Sequence, residues 1–61
     1  MNGFQLKVKR IKASLKQYEV AAYVGMSPNK LCEIELGRRT ASPELLDRIS
    51  EAIERGKRQK S

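Results

Sequence analysis

The 61-residue sequence contains no histidine and no tryptophan, and its one cysteine is Cys32. A lone thiol excludes an intramolecular disulfide, so nothing staples so short a chain and its stability must come from packing. Without histidine, and with a single cysteine, the usual structural zinc sets and Ser-His-Asp chemistry are ruled out. No nucleophile–base pair, metal-ligand cluster or glycine-rich phosphate loop is visible, so neither an enzyme, a metal nor a cofactor is expected, and Cys32 reads as an inert thiol. No apolar run approaches the roughly 18 residues of a membrane span, and the N-terminus lacks the hydrophobic core of a signal peptide. A cytosolic chain with no membrane partner is the expectation. Strand-like alternation and internal repeats are missing as well.

Charge, in contrast, is abundant and unevenly placed. Lys7, Lys9, Arg10, Lys12 and Lys16 give residues 1–16 a charge of +5 without a single acid. Arg55, Lys57, Arg58 and Lys60 add +4 at the other end, while residues 17–54 sum to −3. Two basic ends around a mildly acidic middle suit a polyanionic partner, although charge alone also serves solubility.

Apolar spacing predicts four helices, at most five, and hence an all-α bundle. The segment from about Phe4 to Ser14 is rich in good helix formers. Leu6, Arg10 and Ala13 share one face, and Phe4, Val8, Ile11 and Leu15 form a second apolar stripe for another helix or a partner chain. A second helix is expected from Gln17 to Val24 with Val20, Ala21 and Val24 inward. Gly25 ends it, Ser27 caps the next, and Pro28 fits its first turn. Leu31, Ile34 and Glu35 point inward on this third helix, and Gly37 stops it. Two short helices joined by so tight a turn make a helix-turn-helix, the arrangement that inserts one helix into a DNA groove. Ser42 and Pro43 repeat the cap-and-proline signal, and Leu45, Leu46, Ile49, Ala52 and Ile53 line a last helix to about Arg55. Gly56 is expected to end it. The domain then covers residues 1–55, with 56–61 a basic, disordered tail.

The order Leu15, Gln17, Glu19, Ala21, Val24, Gly25, Ser27, Leu31, Ile34, Glu35, Gly37, Ser42, Pro43, Leu46 and Ile49 resembles the Xre/Cro-type helix-turn-helix family over roughly residues 4–54. Phage repressors and small bacterial regulators belong to that family. The resemblance implies a lambda-repressor-like fold and a third helix in the major groove. It also implies a homodimer on a palindromic double-stranded operator, in a prokaryotic cytoplasm and on the nucleoid when bound. By the same resemblance Gln17 would bond a phosphate, and an Arg10–Glu35 pair would tie the first helix to the third. The small size suggests a phage or mobile-element regulator whose occupancy follows concentration and operator sequence.

Helical geometry places Asn29, Cys32, Glu33 and Leu36 on the outer face of the third helix, flanked by Pro28 and Lys30. Asn29 can bond adenine N6 and N7, and Glu33 can accept from cytosine N4. Lys30 would meet a guanine or a phosphate, and Pro28 a thymine methyl; solvated polar side chains are the plain alternative. Phosphate contacts are expected from Lys9, Lys16, Gln17, Tyr18, Ser27, Arg38 and Arg39, which sit at helix ends or in the loop after the third helix. Arg10 and Glu35 occupy core-facing positions and should pair, because an unpaired buried charge is costly. Leu36 departs from the family, which usually has a polar residue there. With Tyr23 and Cys32 it supports a rival reading, an antitoxin- or antirepressor-like module that binds a protein regulator.

Overall fold

The computed structural model describes residues 2–60. They form four helices in the order α1 (Gly3–Lys12), α2 (Gln17–Val24), α3 (Pro28–Glu35) and α4 (Pro43–Lys60), with no strand among the described residues. Each helix contributes to one core, in which Leu6, Val20, Leu31, Ile49 and Ile53 are fully buried. Burying one such side chain stabilises the fold by roughly 1.5–3 kcal/mol. α4 lies against α1 and α2, while α3 packs on the same two helices from another side.

The boundaries follow local chemistry. Asn2 caps α1, its Oδ1 accepting from Gln5 N at 2.8 Å while Gln5 Oε1 accepts from Asn2 N at 2.9 Å. α1 ends at Lys12, two residues before the expected stop, because Ser14 takes a left-handed φ of 59° that turns Leu15 into the core. α2 begins with Lys16 N donating to Glu19 Oε1 at 2.9 Å. It ends at Gly25, whose φ of 84° sets the tight turn toward α3. Ser27 Oγ accepts from Lys30 N at 3.2 Å, and Pro28 opens α3. Past α3, Gly37 N donates to Ile34 O and Arg38 N to Glu33 O, at 3.1 and 2.9 Å, with Gly37 at φ 78°. That pair of bonds is a Schellman motif, and it fixes the direction in which the loop leaves the helix.

One expectation needs correction. Gly56 does not end α4, which continues to Lys60, so residues 57–60 are helical rather than a disordered tail beyond a boundary at 55; Ser61 lies outside the described residues. The reason is packing. A Cβ on Gly56 would stand 2.8 and 3.0 Å from the two Leu15 methyls and 3.4 Å from the Tyr23 ring, so the glycine is a notch that admits them. The Tyr23 hydroxyl then donates to Gln59 Oε1, holding the last turn. The second apolar stripe of α1, expected to meet another helix or a partner chain, is covered within the chain only in part. Leu15, beyond the helix, is buried, but Phe4 and Ile11 remain exposed.

Gly3 has a similar role at the other end. A Cβ there would lie 1.9 Å from Ile34 O and 2.9 Å from its carbonyl carbon, so the first turn of α1 presses directly on the last turn of α3. Backbone cannot step aside as a flexible side chain can. Gly3→Ala is therefore expected to cost about 1–3 kcal/mol, read as a lower urea midpoint at unchanged slope. An unchanged or raised midpoint would contradict this close approach.

Candidate nucleic-acid interface

The site is built outward from one buried ion pair. Arg10 Nε donates to Glu35 Oε2 at 2.8 Å and Arg10 Nη2 to Glu35 Oε1 at 3.1 Å. The third guanidinium nitrogen, Nη1, donates to Leu15 O at 2.8 Å, across the turn that follows α1. Gln17 Nε2 completes the cluster, donating to Glu35 Oε1 at 3.0 Å. The end of α3, the last turn of α1 and the first residue of α2 are thus joined at one carboxylate. No buried side-chain polar atom among the described residues lacks a partner.

With Leu31, Ile34 and Glu35 turned inward, α3 presents its other side to solvent. Pro28, Asn29 and Lys30 are exposed at its capped start, and Cys32 and Glu33 are half-buried further along. Glu33 does not stand alone: its Oε1 lies 3.4 Å from Arg39 Nη2. Arg38 and Arg39 are both exposed. Tyr18 is exposed at the start of α2, with Lys16 Nζ 5.9 Å from its ring centroid. The first N–H groups of α2 have no acceptor within the helix and suit an anion. The Gln17 amide is turned toward Glu35, so its Nε2 is occupied, and the Ser27 hydroxyl oxygen is occupied by its cap bond.

Some expected residues lie elsewhere. Lys9 Nζ sits 2.8 Å from Ser50 Oγ and 3.0 Å from Glu54 Oε1, so it faces α4. Lys9 in turn holds the Glu54 carboxyl below its usual pKa, through a hydrogen bond and its charge. Nor do Tyr23, Cys32 and Leu36 form one surface. Tyr23 borders a cleft with Arg48, Glu51 and Arg55 on α4, whereas Leu36 shares a groove with Phe4 and Lys7 of α1. Sequence reasoning does not find Arg48, whose Nη2 donates to Val24 O at 3.1 Å and closes the end of α2. Nor does it find Asn2, although Asn three residues before Gln at a helix start is a cap signal.

Removing one partner of a buried, hydrogen-bonded ion pair leaves the other charge stranded. Arg10→Met should cost roughly 3–5 kcal/mol, and a second change, Glu35→Leu, should restore much of it. Thermal unfolding followed by circular dichroism reads both; an Arg10→Met chain melting like the parent would sink the account of this cluster.

A family model described as helix-turn-helix matches residues 6–60. No curated protein and no solved structure gives a significant match. The family is one of DNA-binding regulatory domains rather than of enzymes, and no described helix is long and apolar enough to cross a membrane. With the buried Arg10–Glu35 pair, the Gly25 turn and the outward α3 face in place over that span, the chain belongs to the Xre/Cro-type helix-turn-helix family.

Proposed function

We propose that the chain is a sequence-specific, double-stranded-DNA-binding transcriptional regulator of the repressor/Cro kind, with α3 lying in the major groove. One observation carries this reading: the start of α3 offers three exposed residues, Pro28, Asn29 and Lys30, on a helix held from behind by a buried ion pair. A recognition helix reads base edges through residues near its N-terminal end. Asn29 is the base reader, bonding adenine N6 and N7, with Lys30 on a guanine or phosphate and Pro28 against a thymine methyl. Lys16, Tyr18, Arg38, the Ser27 hydroxyl and the N–H groups at Gln17 supply the phosphate contacts that set register. The net charge of +6 favours encounter with DNA at low salt.

A single half-site read by three or four side chains gives weak discrimination, so the chain acts as a homodimer on a palindrome. By analogy with its family, it serves a phage or another mobile element. A second reading, capture of a protein regulator, is favoured by one feature. Phe4 is 66% and Leu36 53% exposed, and both line one groove.

Selection of bound duplexes from a randomised pool separates the two. The DNA reading predicts an enriched motif with two half-sites about 10 base pairs apart. It also predicts that Asn29→Ala relaxes an adenine position by roughly tenfold, within the 1–3 kcal/mol that a bidentate contact provides. Enrichment that never rises above a salt-sensitive, sequence-blind background overturns it in favour of a protein partner.

A further inference from the structure

The outer face of α3 carries no arginine, the commonest reader of guanine, yet it carries an acid that DNA phosphates would repel. Both facts meet at Glu33. Its backbone carbonyl accepts from Arg38 N at 2.9 Å, and its carboxylate lies 3.4 Å from Arg39 Nη2. Glu33 therefore holds the loop after α3 twice, once through the main chain and once through the side chain. The left-handed Gly37 makes this possible by turning the chain back over the helix end.

We propose that Arg39 is a base-reading residue, that it reads guanine from the loop, and that Glu33 is the positioning residue that aims it. This inference rests on the DNA reading above. The Glu33 and Arg39 side chains are 44% and 47% exposed, so the pair is open to a partner in front of α3. An ion pair this exposed contributes only about 0–1 kcal/mol to stability, so its consequence is orientation. The guanidinium has five N–H donors, and the contact with Glu33 engages one nitrogen. The remaining donors form a planar fork that matches guanine O6 and N7. Pairing also removes the cost of bringing an isolated carboxylate near phosphates. Glu33 then has no need of a cytosine of its own; Arg39 supplies the cation this face lacks.

The test compares the parent with Arg39→Ala, Arg39→Lys and Glu33→Gln, each titrated against the selected duplex and against duplexes changed one base pair at a time. Thermal melting of each variant without DNA is recorded alongside and is expected to stay near the parent. The proposal predicts that all three variants lose about tenfold or more of the preference at the same G·C pair, and at that pair alone. It also predicts that Arg39→Lys fails to rescue, because an ammonium keeps the charge but not the fork. Three results would overturn it. A uniform loss across all duplexes for Arg39→Ala, restored by lysine, makes Arg39 a phosphate contact. Loss of G·C preference for Glu33→Gln but not for Arg39→Ala makes Glu33 a direct reader of cytosine. Preferences unchanged in every variant leave the pair with no part in recognition. If the parent itself enriches no sequence, the DNA reading fails, and that outcome is distinct from the other three.

Discussion

The carboxylate of Glu35 is the point at which three helices are fixed to one another. It sits on the inner side of α3, almost fully buried, and accepts N–H groups from Arg10 of α1 and Gln17 of α2. The same guanidinium reaches Leu15 O, so the turn between α1 and α2 is held by the group that holds α3. In a chain of 61 residues without a disulfide, hydrophobic burial alone leaves helix orientation loosely specified. A bidentate buried pair restricts it, because the pair is favourable in one geometry and costly in most others. The direction in which α3 presents Asn29 and Lys30 follows from that constraint.

The surface is divided accordingly. Basic residues are not one pool of charge: Lys9 is neutralised by Glu54 on α4, and Arg48 closes the end of α2 through Val24 O. Lys16 before α2, Lys30 in the first turn of α3, and Arg38 and Arg39 after α3 are all exposed. Phe4 and Leu36 form an apolar groove where the first turn of α1 meets the last turn of α3. That groove adjoins the α3 face, which leaves room for a protein contact beside a nucleic-acid one.

Much of this is legible in the sequence, and the limits are instructive. The α2–turn–α3 unit is readable because each boundary rests on local chemistry. Gly25 and Gly37 take left-handed conformations, Ser27 caps, and Pro28 starts a helix at no cost in hydrogen bonds. Arg10 and Glu35 are legible as a pair because both charges fall at core-facing positions. The end of α4 is not, since the local rule that glycine stops a helix loses to the contact of Gly56 with Leu15 and Tyr23. The reach of a long side chain is equally hidden. Lys9 looks like free charge until folding brings Ser50 and Glu54 beside it, and Glu33 looks solitary until the Gly37 turn returns Arg39 to it.

The central claim is that the outer face of α3 is the surface that meets DNA. Backbone amide shifts of isotope-labelled protein, recorded by NMR while duplex DNA is added, test it most directly. The account predicts the largest changes over residues 16–18, 27–33 and 37–39, with α4 beyond Ile53 little affected. Changes centred instead on Phe4, Leu36 and the first turn of α1, with α3 residues 28–33 unmoved, would contradict it.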